Sequence, residues 1–312
     1  IIAITGSCGK TSLKELIGMT LNKLCCVTYS RKSFNNKFGV PLSLFNLNPK
    51  DDFGVFEVGM DKKGEIDALT KIIKPEVGVI TNISYAHAKN FKNLKQIALA
   101  KSEIMNNIVS GGSIVLNADD IFYKFHRKMA LKKKLKVYSF SINKKNATVS
   151  LISIKKEKSK FKVIINIDNQ KKYFFISSNF ENNLKNLLAA ITVISIFKDI
   201  KTLNKNIFYN YQIPYGRGDF SKIKINRKNI LLIDESYNSN PLSLKSSINN
   251  FDLIDSKHNK KHLILGDMLE LGRHSKKLHL EMSPIINSSS INNVHVFGKY
   301  IRETYKNIHR RK

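Results

Sequence analysis

Ile1-Ile2-Ala3-Ile4-Thr5-Gly6-Ser7-Cys8-Gly9-Lys10-Thr11 is the stretch from which the fold is read. Its first five residues form a short apolar run that reads as a buried strand. A loop bounded by Gly6 and Gly9 follows at once, and the patterned segment from Ser12 to Leu24 reads as a helix. Strand, tight turn and helix in that order turn backbone N–H groups, those of Ser7 and Cys8 among them, onto phosphate oxygens. Gly6 and Gly9 permit the turn and the close approach of a ligand. Lys10 is placed to reach β/γ-phosphates, and the Thr11 hydroxyl to bind Mg²⁺. The spacing G-x-x-G-K-T is shorter than the usual G-x-x-x-x-G-K-[ST], so the motif indicates a nucleotide phosphate without naming a reaction.

Working outward, residues 1 to about 140 alternate apolar runs with helical patterns. Strands are expected at 1–5, 53–58, 77–81, 113–117 and 135–139, with helices near 12–24, 64–73, 94–109 and 119–130. Such alternation implies a parallel sheet, whose ligands sit at the carboxyl ends of the strands. That rule puts Gly6 to Thr11, Glu57 and the segment Asn82 to His87 on one rim. Residues 147–178 read instead as a β meander with strands at 148–154, 162–167 and 173–177, and a helix follows at about 183–197. Pro214-Tyr215-Gly216-Arg217-Gly218-Asp219 is a punctuator. Beyond it, strand 229–234, helix 241–251 and strands 261–266 and 293–297 resume an α/β pattern. The expectation is an α/β chain with a P-loop NTPase-like central domain, 1–213, whose mostly parallel sheet carries the meander. An incomplete Rossmann-like α/β domain, 214–312, follows.

At 312 residues two cores are expected, and 42% apolar content suffices to fill them. No apolar run approaches a membrane span, and no signal peptide precedes the first strand. Without an initiator Met, the sequence reads as a fragment. Three cysteines are too few for a disulfide framework, which fits a reducing, cytoplasmic setting. Cys25 and Cys26 read as core residues at a helix end. The net charge of +29, from 53 Lys+Arg against 24 Asp+Glu, is the one feature that argues for nucleic acid. The lysines are spread, at 132–136, 155–162, 257–261 and 310–312, with few aromatic partners. The reading is therefore a solvated basic surface and no nucleic-acid partner.

Six further stretches go beyond a generic phosphate-binding loop: Ser33-Phe34-Asn35-Asn36-Lys37-Phe38-Gly39-Val40-Pro41; Phe56-Glu57-Val58-Gly59-Met60 through Gly64-Glu65-Ile66; Thr81-Asn82-Ile83-Ser84-Tyr85-Ala86-His87; Ile97-Ala98-Leu99-Ala100-Lys101-Ser102-Glu103-Ile104; Asp234-Glu235-Ser236-Tyr237-Asn238-Ser239-Asn240-Pro241; and Leu265-Gly266-Asp267-Met268-Leu269-Glu270-Leu271-Gly272. With the short loop they resemble the Mur ligase family, over its central ATPase domain and the first part of its C-terminal domain. The family's N-terminal UDP-binding domain has no counterpart here, nor has the end of its C-terminal domain.

The resemblance implies an ATP- and Mg²⁺-dependent amide ligase of peptidoglycan precursor synthesis, acting as a monomer. UDP-MurNAc-tripeptide would be the acceptor and D-Ala-D-Ala the incoming amine, joined through an acyl phosphate. Read alone, Glu57 is a strand-end carboxylate suited to a hard cation or a cap. The resemblance makes it a Mg²⁺ ligand with Thr11. His87 alone fits a satisfied structural histidine; the resemblance gives it a second Mg²⁺. Lys101 alone reads as a helix lysine paired with Glu103 or another carboxylate. In the family the matching lysine can be carbamylated, which turns a Mg²⁺-repelling ammonium into a carboxylate. Arg217 matches an arginine on the ATP phosphates. Asn183 and Asn186 match amides at the adenine, Glu235 an acid at the ribose, and Tyr237 and Asn240 a nucleotide wall, while one of the loop's Asn residues also reads as a helix cap. Asn35 and Asn36 would touch the UDP-substrate or the metal. Three positions depart from the family pattern: Cys8 for Asn, Asn182 for His and Glu235 for Asp. A sibling ligase, a folylpolyglutamate or cyanophycin type ligase, and a basic nucleic-acid-binding protein are the alternatives.

Overall fold

The computed structural model describes residues 1–177, 181–255 and 260–309, without the side chains of residues 181 and 182. The basic tail at 310–312, most of the 257–261 run and the side chain of Asn182 therefore lie outside the described residues. The chain forms two compact units, residues 1–83 with 94–212, and residues 84–93 with 213–312.

The first unit runs β1 (Ile2–Thr5), α1 (Lys10–Leu21), β2 (Val27–Tyr29), α2 (Gly39–Leu44), β3 (Phe53–Glu57), α3 (Glu65–Ile73), β4 (Val77–Ile80), α4 (Leu94–Ser102), β5 (Ser113–Asn117), α5 (Tyr123–Lys132), β6 (Lys136–Ser141), β7 (Val149–Glu157), β8 (Lys160–Ile167), β9 (Gln170–Ile176) and α6 (Glu181–Ser195). One nine-stranded sheet in the order β2-β3-β1-β4-β5-β6-β7-β8-β9 joins them. Strands β1 to β6 pair in parallel, and β7, β8 and β9 antiparallel. The meander therefore extends the parallel sheet, because β6 pairs in parallel with β7 through Phe140 and Ser141. β1, β4 and β5 are buried along their whole length, which explains why they read as continuous apolar runs. α1 sets Leu13, Leu16, Ile17 and Leu21 into the core at helical spacing. There they meet Leu187, Leu188, Ile191 and Ile194 of α6, with Phe174 stacked edge-on against Phe208 at 5.0 Å.

Several expectations are corrected. β2 and α2 are real but too short to read. The pattern at 94–109 is α4 followed by a tight turn at 103–106. α5 begins at Tyr123, because Asp119 and Asp120 spend their carboxylates on backbone N–H groups of Ile142, Ile83 and Phe122. Cys25 is half-buried and Cys26 exposed, so Cys26 is not a core residue.

The second unit contains β10 (Asp219–Ile225), β11 (Lys228–Asp234), α7 (Pro241–Asp252), β12 (His262–Gly266), α8 (Ser275–Leu280), α9 (Ser283–Ser288), β13 (Asn293–Phe297) and α10 (Ile301–Lys306). β10 and β11 form an antiparallel hairpin closed by Asn226 and Arg227 at φ +46° and +66°, a two-residue turn that matches strand twist. β12 and β13 pair in parallel. The segment 84–93 belongs here: Lys89 N–H donates to Glu270 O at 2.8 Å, and a Cβ on Gly272 would fall 2.8 Å from Lys89 Cα. No helix among the described residues is long and apolar enough to cross a membrane.

Candidate nucleotide and metal site

In the first unit the loop between β1 and α1 is held open by glycine and braced by β4. Gly6 lies at φ +147°, and a Cβ there would fall 1.8 Å from Thr81 Oγ1. Gly9 lies at φ +81°, with Asn186 Oδ1 of α6 3.0 Å from where a Cβ would sit. Asn186 therefore flanks the loop, while Asn183 lies half-buried inside α6.

The expectation that Ser7 and Cys8 offer their amides outward is modified. Ser7 N–H donates to Asn82 O and Cys8 N–H to Asn82 Oδ1, both at 2.9 Å. Thr81 Oγ1 and Asn82 Nδ2 donate back to Cys8 O at 2.6 and 3.2 Å. These bonds fix the loop's shape and leave the first-turn amides at the start of α1 as the backbone donors suited to an anion.

Two lysines converge on the loop. Lys10 Nζ donates to Gly6 O at 2.9 Å, and Lys101 Nζ, from the last turn of α4, donates to the same carbonyl at 3.0 Å. Lys101 is 1% exposed. Burial, and then the positive charge of Lys10, push its amine well below the usual lysine range. Lys101 does not pair with Glu103. That carboxylate accepts the Gly64 N–H at 2.9 and 3.0 Å at the start of α3, and burial raises its pKa.

Beside them sits a buried oxygen pair. Thr11 Oγ1 donates to Glu57 Oε2 at 2.7 Å, and Asn35 Nδ2 donates to Glu57 Oε1 at 2.7 Å. Thr11 and Glu57 are 3% and 2% exposed. A hydroxyl and a carboxylate held side by side by neutral donors suit a hard divalent cation. Neighbouring Asn36 acts differently: its Oδ1 accepts the Phe38 and Gly39 N–H groups at 3.1 and 2.9 Å in the turn that leads into α2. Sequence reasoning missed Ser30 and Ser33, which touch this pair, and Lys14, whose ammonium donates to the Ser30 and Lys32 carbonyls.

The remaining expected residues lie in the second unit. Gly218 N–H donates to Asp234 O at 2.7 Å and Tyr237 N–H to Gly216 O at 3.1 Å, which brings the 214–219 segment against the 234–240 loop. Arg217 stacks its guanidinium 4.0 Å from the Tyr237 ring centroid. Burial raises the Glu235 pKa above its ordinary value, against the opposing pull of the Ser247 hydrogen bond and then of Arg217. Asn240 caps α7: its Oδ1 accepts the Leu242 and Ser243 N–H groups, and Ser243 Oγ accepts the Asn240 N–H. The cap reading thus holds for Asn240. His87 also falls in this unit. It takes left-handed backbone, φ +55°, and its Nδ1 pairs with a Glu270 carboxylate oxygen.

Comparison with known proteins adds independent support. The model of the Mur ligase middle domain matches residues 4–194. A UDP-N-acetylmuramoyl-tripeptide–D-alanyl-D-alanine ligase of Rickettsia prowazekii is 33% identical over 312 residues, 97% of this chain and 66% of its own length. The enzyme of that name from Buchnera aphidicola subsp. Baizongia pistaciae is 34% identical over 307 residues, 97% of this chain and 64% of its own length. Among solved structures, MurF from Acinetobacter baumannii superposes with a TM-score of 0.88 at 27% identity, over 98% of this chain and 65% of that one. This chain thus spans slightly under two thirds of the length of these relatives. A family model covering more than half of the sequence, on a fold and a loop that agree with it, places the chain in the Mur ligase family.

Proposed function

We propose that the parent protein is an ATP- and Mg²⁺-dependent amide ligase that joins D-Ala-D-Ala to UDP-MurNAc-tripeptide in peptidoglycan precursor synthesis, working as a cytoplasmic monomer. The observation that carries the reading is the buried Thr11–Glu57 pair beside a phosphate-binding loop, in a chain of this family. The acceptor carboxylate would take the γ-phosphoryl group of ATP with loss of ADP. The dipeptide amine would then attack the acyl carbon, and phosphate would leave.

Each residue has a task the chemistry needs. The first-turn amides of α1 and Lys10 bind the phosphates and neutralise charge that builds during transfer. Thr11 and Glu57 would hold Mg²⁺, which supplies further charge neutralisation on the phosphoryl oxygens. His87 is proposed as the ligand of a second Mg²⁺. Asn183, Asn186, Arg217, Glu235, Tyr237 and Asn240 are proposed at the nucleotide, and Asn35 beside the metal. Lys101 is proposed as a carbamate: the neutral amine adds to CO₂, an N–C bond forms, and the nitrogen proton goes to solvent. The resulting anion replaces like-charge repulsion with an ion pair to Lys10. A mass gain of one CO₂ on the Lys101 peptide at high bicarbonate is the expected result.

Phosphate release by the full-length parent tests the reading. It should require both UDP-MurNAc-tripeptide and D-Ala-D-Ala, and substitution by glutamate or single amino acids should not support it. Release driven equally by another amine would favour a sibling ligase.

A further inference from the structure

Lys14 has no place in the chemistry just described, yet its side chain is completely buried. It lies one turn beyond Thr11 on α1. Its ammonium donates to the carbonyls of Ser30 and Lys32 at 2.5 and 2.9 Å, pairs with Glu15, and lies 5.8 Å from the centre of the Tyr29 ring. Burying an ammonium is costly unless its donors are satisfied, so what the contacts secure is informative.

They secure one turn. Lys32 adopts left-handed backbone at φ +47°, a conformation that a lysine does not favour unaided. From this turn three side chains reach the Thr11–Glu57 pair. Ser30 Oγ accepts the Glu57 N–H at 3.3 Å, Ser33 Oγ lies 3.3 Å from Thr11 Oγ1, and Asn35 Nδ2 holds Glu57 Oε1. On its other side the turn is anchored to the sheet by Ser30 N–H donating to Val55 O at 3.0 Å.

We propose that Lys14 is a positioning residue for the divalent-cation site: through its two carbonyl tethers it fixes the 30–35 turn that orients Glu57 and Thr11. The inference rests on the metal reading above. Outer partners of this kind typically carry about 10- to 100-fold in metal affinity.

The test uses the intact protein with Mn²⁺ as the probe, counted by electron paramagnetic resonance, with and without AMP-PNP. Lys14→Met should weaken Mn²⁺ binding in the presence of AMP-PNP by about tenfold, while metal-free AMP-PNP binding stays within about twofold, as the loop amides are untouched. A double-mutant cycle with Asn35→Ala should be non-additive, because both act on one carboxylate. Lys14→Gln is shorter and cannot span both carbonyls, so it should give an intermediate loss; it also serves where Lys14→Met does not fold. Unchanged Mn²⁺ affinity in any folded Lys14 variant, or an additive cycle, overturns the proposal. Absence of Mn²⁺·AMP-PNP binding by the unaltered protein overturns the metal reading, and this proposal with it.

Discussion

At Lys101 an amine without its carbamate is held out of water beside another lysine, and neither burial nor its neighbour favours the charged form. The folded state therefore gives up this proton at a lower pH than the unfolded chain, whose lysine titrates near 10.5. Between those two values the unfolded state binds more protons, so stability rises with pH across the window and is lowest below it. Lys101→Met should remove that slope and raise the melting temperature at neutral pH, by about 2–4 °C for each ~1 kcal/mol of relieved desolvation. The same change should abolish turnover, a trade between stability and activity. Thermal unfolding at several pH values, with an activity assay, checks both. Glu57→Gln keeps the shape but removes the charge that the proposed cation would meet. It should raise the Mg²⁺ requirement by about 100-fold, read by titrating Mg²⁺ in the phosphate-release assay. Gly6→Ala meets Thr81 Oγ1 at 1.8 Å. It should fail to yield folded protein at normal levels, as judged by soluble expression and circular dichroism.

Among the elements, two helices are fixed at their N-termini by side chains, α7 and α3. α7 begins with a capping box, Asn240 with Ser243, and Pro241 at its first position. Asn240→Ala should cost about 1 kcal/mol, seen as a lower denaturant midpoint with an unchanged slope. α3 receives the Glu103 carboxylate at its N-terminus, which explains why Lys101, two residues earlier, faces away from that acid and toward Gly6. Helix starts and stops were legible where the signal is local: Asn240-Pro241 announces α7, and Gly64 precedes α3. β2 and β10 were not, because they are short or carry too many lysines for an apolar alternation, whereas β11 was expected at 229–234. Their pairing comes from neighbours distant in sequence.

For the whole molecule, the chain passes from the first unit to the second after Ile83, returns after Asn93 and leaves again after Gln212. A fragment ending at residue 212 would retain 84–93 but lack Glu270 and Gly272, against which that segment packs. Backbone amides of 84–93 should then exchange with solvent at least tenfold faster than in the intact chain, about 1.4 kcal/mol of lost protection. Hydrogen-exchange mass spectrometry reads this directly.

Local order alone determined the strand–loop–helix at 1–24 and the alternation that makes the sheet parallel. Each rests on neighbours within a few residues and on periodicity. Tertiary structure decided the partners: Asn82 rather than a ligand on the Ser7 and Cys8 amides, Gly6 rather than Glu103 for Lys101, and the Glu270 carboxylate for His87. It also revealed Lys14, which in sequence is one more helix lysine in a chain of net charge +29. Hydrogen bonds between groups far apart in sequence leave no periodic trace, so only the folded chain can assign them.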